Sequence, residues 1–214
     1  MDTRERIIEE ASLMFRTYGI RAVTMDMLAG EMGISKRTIY EIFSDKDELL
    51  NGVLETMKEK QHKLVADIMK GSENVIEAIF RILDAMTEHF SNMSPAFRLD
   101  MKKYHNDIIL RLRSSGELPY YSDNTDVLLR GIKEGLFRKD IDISIMNKCL
   151  LEVVRISDDK DLFPSENLSS RDMIRDFFIN NIRGISTQKG LDLINFYEKK
   201  KPSLSKGQKN SKKG

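Results

Sequence analysis

Apolar residues recur at helical spacing along most of the chain, and no segment alternates apolar and polar positions as a half-buried strand would. The first stripe is Ile7, Ile8, Ala11, Met14, Phe15 and Tyr18, ended by Gly19. Thr24 reads as the N-cap of a short helix bearing Leu28, Ala29 and Met32. Gly33-Ile34 predicts a tight turn, and Ser35 caps a further short helix with Ile39 inward. Ser44 or Asp45 opens a long helix over 44–69, its inner positions running from Leu49 to Ile68. Gly71-Ser72 breaks the pattern. Helices follow at 74–92 and 96–113, the second entered through Ser94-Pro95. Beyond a loop at 116–124 the pattern predicts helices at 127–136, 143–156 and 171–186, with a polar stretch at 157–170 and a further turn or two at 191–197. The fold class is all-α, with roughly nine or ten helices. Three lie within the first 43 residues and most later ones are longer, so a small helical head joins a larger helical bundle through the helix that starts near Ser44.

Composition narrows the class. With 214 residues the chain can bury a core without staples. One cysteine, Cys149, excludes a disulfide framework and any multi-cysteine zinc site. The start is polar, no apolar run approaches the length of a membrane span, and the expectation is a cytoplasmic protein with no membrane partner. Net charge is +1, but seven lysines and no acid fall in residues 199–214, which leaves −6 on residues 1–198. Bulk charge therefore gives little support for nucleic-acid binding by the folded body, and any such reading must rest on local pattern. The basic tail, rich in Lys, Ser and Gly, reads as a disordered, solubilising end or as a source of nonspecific DNA attraction.

Local pattern does point that way. From Thr24 to Phe43, two short helices meet at a glycine-containing turn, the layout of a helix-turn-helix. The second helix of such a unit enters the major groove with its N-terminal residues first. Here it reads Ser35-Lys36-Arg37-Thr38-Ile39-Tyr40, with two cations and no acid. At 100° per residue, Arg37 lies roughly 200° around the helix from Ile39, so an inward Ile39 turns Arg37 toward bases. Lys36 and Tyr40, four apart, share a side, and the Tyr40 hydroxyl can reach a phosphate. Lys46, with the first-turn N–H groups of the long helix, can hold another phosphate, as can Thr24 at the earlier short helix. Each residue also has a plain reading: Thr24, Ser35 and Ser44 as caps, Tyr40 and Phe43 as core aromatics, Lys36-Arg37 as a solvated face.

Taken together these residues resemble the TetR/AcrR family of bacterial transcriptional regulators. The resemblance runs through Ile7-Ile8, Ala11, Phe15 and Gly19, then Thr24-Met25 and Leu28-Ala29, then Met32 to Tyr40, then Phe43 to Leu49. A weaker match, Gly131 to Arg138, resembles the family's seventh helix. The resemblance implies an N-terminal helix-turn-helix domain over 1–47, with its motif at 24–43, and a helical ligand-binding and dimerisation domain over 48–198. Residues 199–214 remain a tail. It places Thr24, Ser35, Lys36, Thr38, Tyr40 and Lys46 at DNA contacts, to which the geometry adds Arg37. Arg37 stands where the family often has glycine, and Glu41-Ile42 replaces the usual aromatic or histidine neighbours of Phe43. The implied function is a homodimeric regulator on a palindromic operator in double-stranded DNA, most simply a repressor released by a small-molecule effector. No cofactor and no catalysis are expected.

The body is less specific. Phe80, Met86, Phe90, Phe97, Met101, Tyr104 and His105 are candidates for lining an effector pocket, since soft and aromatic side chains suit an apolar or amphipathic ligand. Ordinary core packing explains the apolar ones as well. Met146, Cys149, Leu150 and Val153, with Met173, Ile174 and Phe177, are candidates for a dimer surface formed across a two-fold axis. An effector in the body would then move helix 44–69 as a lever and alter the spacing of the two heads.

Two other classes compete with this reading. Glu59-Lys60-Gln61-His62 has the Glu-x-x-His spacing of metal-binding helical bundles, but it lacks a second such motif. Ser157-x-x-Lys160 and Ser203-x-x-Lys206 match a nucleophile spacing in loop or tail sequence. A helical adaptor that offers Lys36-Arg37 to an acidic protein partner is the alternative to DNA recognition.

Overall fold

The computed structural model of the chain describes residues 2–114, 124–157 and 170–200. The described residues form eleven helices and no strand: α1 Thr3–Tyr18, α2 Met25–Met32, α3 Lys36–Tyr40, α4 Lys46–Gly71, α5 Val75–Ser91, α6 Pro95–Tyr104, α7 Asn106–Ser114, α8 Thr125–Lys133, α9 Ile143–Ser157, α10 Ser170–Ile185 and α11 Gln188–Lys200. The single helix expected over 96–113 is two, because the chain leaves helical geometry at His105 (φ −125°, ψ 31°). The expected turn or two near 191–197 is a full helix, α11. Most of the basic tail, residues 201–214, lies outside the described residues.

Packing divides the chain into two compact units, Met1–Lys70 with Asp84–Ser122, and Gly71–Leu83 with Asp123–Gly214. In the first unit, Ile7, Ile8, Ala11 and Phe15 of α1 share one apolar core with Leu28 of α2 and Ile39 of α3. The same core takes in Leu49, Leu50 and Val53 of α4, Phe97 and Met101 of α6, and Ile108 of α7. The expected head is therefore built on the start of α4 and on α6. Asp2 caps α1 in a full capping box with Glu5. Ser94 caps α6, accepting from the Phe97 N–H at 3.1 Å, with Pro95 in the first turn.

The second unit is fastened at the end of α8. Glu134 accepts the Val75 N–H at the start of α5 (2.7 Å) and pairs with Arg130 (2.6 Å), while Arg130 also donates to the Ser72 carbonyl (2.9 Å). The chain after α8 and the chain after α10 exchange hydrogen bonds. The Arg138 N–H donates to the Ile185 carbonyl, and the Thr187 N–H to the Leu136 carbonyl, each at 2.9 Å. No helix among the described residues is long and apolar enough to cross a membrane.

Candidate nucleic-acid interface

Local chemistry fixes the two short helices of the head. The Thr24 hydroxyl accepts the Met27 N–H at 3.1 Å and starts α2. Gly33 ends α2 in the left-handed region (φ 64°, ψ 31°), where a side chain would cost energy, and the next N–H, of Ile34, returns to the Ala29 carbonyl at 3.0 Å. Ser35 then accepts the Thr38 N–H at 3.1 Å and opens α3. Below this turn, Leu28, Ile39 and Phe43 are buried, with Ile34 packed at the edge of the core.

Burial of Ile39 (0% exposed) decides which way α3 faces. The Arg37 side chain, on the far side, is 88% exposed, and its Nε donates to Glu41 Oε1 at 2.9 Å. Lys36 is exposed too, but its Nζ lies 2.7 Å from Asp26 Oδ2 on α2 and 5.9 Å from the centre of the Tyr40 ring. The hydrogen bond to Asp26 holds the Lys36 ammonium above its ordinary range. Tyr40 is exposed, and the Thr38 hydroxyl sits 2.9 Å from that of Ser35. Thr24, Ser35, Lys36, Arg37 and Tyr40 are thus on the surface of the helix-turn-helix, and Thr38 is partly covered.

Lys46 is partly covered at the start of α4. Its Nζ donates to the Val23 carbonyl, one residue before Thr24, and lies 5.8 Å from the Phe15 ring. Burial lowers its pKa, and the nearby Asp100 partly offsets this. At the start of α4, Ser44 donates both its N–H (2.6 Å) and its hydroxyl (2.7 Å) to Glu48, which keeps that carboxylate ionised below its ordinary range. The Glu48 N–H is taken by Asp45 at 2.8 Å.

The expected effector set is dispersed. Phe80 belongs to the second unit, whereas Met86, Phe97, Met101, Tyr104 and His105 belong to the first. Phe97 and Met101 fill the core beneath the head. Tyr104 is exposed and stacks under the Arg21 guanidinium (4.3 Å), and His105 Nδ1 lies 3.4 Å from Asp47. The second unit holds a small cavity of about 30 Å³ that sequence reasoning missed, lined by Ile79, Leu83, Val127, Leu150 and Ile182 with Asn124 as a polar member. Of the expected dimer residues, Cys149 and Phe177 are exposed, Met146 is partly covered and Leu150 is buried. The side chains of Phe90, Val153, Met173 and Ile174 lie outside the described residues. Among the described residues no three His, Cys, Asp or Glu side chains gather as a metal site.

Comparison with known proteins places this geometry. Residues 7–53 match the family of bacterial regulatory proteins, tetR family. The chain is 31% identical over 109 residues to the uncharacterized HTH-type transcriptional regulator YvaF of Bacillus subtilis, a match covering 50% of this chain and 57% of that protein. It is 25% identical over 162 residues to the HTH-type transcriptional repressor KstR2 of Mycobacterium tuberculosis, covering 72% and 78%. The chain thus spans little more than half the length of the first of these relatives. A crystal structure of a transcriptional regulator from Cytophaga hutchinsonii shares the fold, with a TM-score of 0.67 at 18% identity over 86% of this chain and 98% of that one. The matched segment begins in α1, takes in all of the helix-turn-helix and ends in α4, so the N-terminal part of the chain, residues 7–53, is a domain of the tetR family of bacterial regulatory proteins.

Proposed function

We propose that this protein is a DNA-binding transcriptional regulator, a cytoplasmic homodimer that occupies a palindromic operator and leaves it when a small apolar or amphipathic effector binds. The observation that carries the reading is the two-sidedness of α3: Ile39 is locked in the core while Arg37 stands 88% exposed on the opposite side. A helix held that way offers base-reading side chains to a major groove without rearranging its scaffold. Thr24, Ser35, Lys36, Arg37, Thr38 and Tyr40 are the proposed contacts. Lys46 serves indirectly, by fixing the Val23 carbonyl and hence the approach to Thr24. The helix-turn-helix domain is read as 1–47 and the effector and dimer domain as 48–198.

Repression is favoured by the name of KstR2, a repressor matched over 72% of this chain. An apolar effector is favoured by the largely apolar cavity among α5, α8, α9 and α10, whose lining includes Phe178. At about 30 Å³ it must expand to admit any organic molecule, so binding would be coupled to movement of those helices. A dimer surface on α9 and α10 is favoured by the large apolar side chains they expose, Ile145 (58%) and Phe177 (45%).

The test is selection of duplexes from a random-sequence pool by the full-length protein, followed by binding measured at several salt concentrations. The expected result is an inverted repeat, bound by two protomers, with affinity falling steeply as salt rises. Recovery of no preferred sequence, together with salt-independent binding, would overturn the proposal in favour of a protein-binding adaptor.

A further inference from the structure

The two cations of α3 are held in different ways. Lys36 is tied back to α2 through Asp26. Arg37 is tied to the C-cap residue of its own helix, its Nε 2.9 Å from Oε1 of Glu41 one turn on. Nε lies along the stem side of the guanidinium, so a carboxylate bonded there leaves the terminal edge, Nη1 with Nη2, to project beyond the pair. That edge carries two parallel N–H donors, the geometry that matches O6 and N7 of guanine in the major groove.

We propose that Arg37 and Glu41 form a guanine-reading pair, in which Glu41 fixes the plane of the guanidinium and Arg37 donates from both Nη atoms to a single guanine of each half-site. The inference rests on the DNA-binding reading above and deepens it by naming a base and the residue that orients its reader. One observation and two physical arguments support it. Arg37 is the more exposed partner, at 88% against 59% for Glu41, and lies opposite the buried Ile39. An acid beside a DNA-facing helix repels phosphates whatever the sequence, so Glu41 costs affinity for every duplex, a cost that orienting its partner at one base can offset. An exposed ion pair at i and i+4 adds little to stability, so orientation, rather than holding α3 folded, is what this pair can contribute. Glu41 is therefore a positioning residue and Arg37 the contact.

The experiment uses the full-length protein and the duplexes it selects, with every base pair of one half-site varied in turn. Wild type is expected to lose roughly 5- to 150-fold in affinity when one guanine becomes adenine. Arg37→Ala should reduce that preference to about twofold or less while the other positions keep theirs. Arg37→Lys should fall between, because an ammonium cannot present a planar fork. Glu41→Gln should bind unselected duplexes as well as or better than wild type, yet discriminate at the guanine position at least about threefold less. Unchanged melting temperatures of these exposed-site variants would show that the fold is intact.

Retention of every preference by Arg37→Ala overturns the assignment. A Glu41→Gln profile identical to wild type overturns the pairing. So does loss in that variant of a cytosine preference alone, since Glu41 would then be the reader. If wild type selects no sequence at all, the regulator reading itself has failed, and that result is distinct from each of these.

Discussion

Oδ2 of Asp100, in α6, accepts the backbone N–H of Arg21 at 2.8 Å across 79 positions of sequence. Arg21 lies in the link between α1 and α2, so this bond joins the head directly to a helix far along the chain. Asp100 is 8% exposed, and removing it leaves a partly buried N–H without its acceptor. Asp100→Ala should cost about 1–3 kcal/mol in urea unfolding. Asp100→Asn keeps an acceptor oxygen and should cost less. Equal unfolding midpoints for wild type and the alanine variant would show the bond to be incidental.

Gly131 tests how tightly the end of α8 is closed. A Cβ built there would lie 2.0 Å from Cδ2 of Phe137, a ring that is itself only 1% exposed. Gly131→Ala therefore forces the ring or the helix to move and should cost about 1–3 kcal/mol or more. Gly184, in α10, has nothing within 4 Å of the same construction, so Gly184→Ala should stabilise by roughly 0.4–1 kcal/mol. Thermal melting of the two variants should move in opposite directions.

Acid should weaken the fold through His89. Burial in α5, with a smaller contribution from the Arg16 charge, pushes its pKa down to about 4 from the ordinary 6.5. Above pH 6.5 the ring is neutral in folded and unfolded chains alike, and its ionisation contributes no pH dependence. Between pH 6.5 and 4 the unfolded chain takes up a proton that the folded chain refuses, so stability falls with pH and levels off below pH 4. The slope from this group is at most about 1.4 kcal/mol per pH unit, and less because the ring keeps some contact with water. Urea midpoints of His89→Gln measured from pH 7 to 4.5 should fall more shallowly than those of wild type.

Lys36 and Lys46 should separate by salt dependence. Lys36 is exposed and can leave Asp26 for a phosphate, so Lys36→Ala should reduce the slope of log affinity against log salt by about 0.9. Lys46 gives one of its three N–H donors to the Val23 carbonyl from a partly covered position. Lys46→Met should lower affinity for all sequences alike and lower the melting temperature, with the salt slope retained. A reduced slope in Lys46→Met would make it a direct phosphate contact.

The legible parts of this chain are those set by neighbours in sequence. Thr24, Ser35 and Gly33 act within four residues of themselves, and each stands in the structure as a cap or turn with the bonds its type predicts. Ile39 inward and Arg37 outward follow from helical rotation alone. The break at His105 was not legible, because the apolar stripe Phe97, Met101, Tyr104, Ile108 keeps its spacing across it. Nor was the placement of Lys46, since both its acceptor, 23 residues earlier, and the Phe15 ring are brought to it by tertiary packing. The same holds for α6: the sequence offers Phe97 and Met101 as pocket lining or as ordinary core, and only tertiary packing puts them in the core of the head.

The closure of α8 has a genetic consequence. Because the Phe137 ring occupies the space a methyl group at 131 would need, neither position can drift by itself. Enlarging residue 131 should be suppressed by trimming residue 137, as in Gly131→Ala combined with Phe137→Leu, so the two sites should covary as a linked couple through the descent of this lineage.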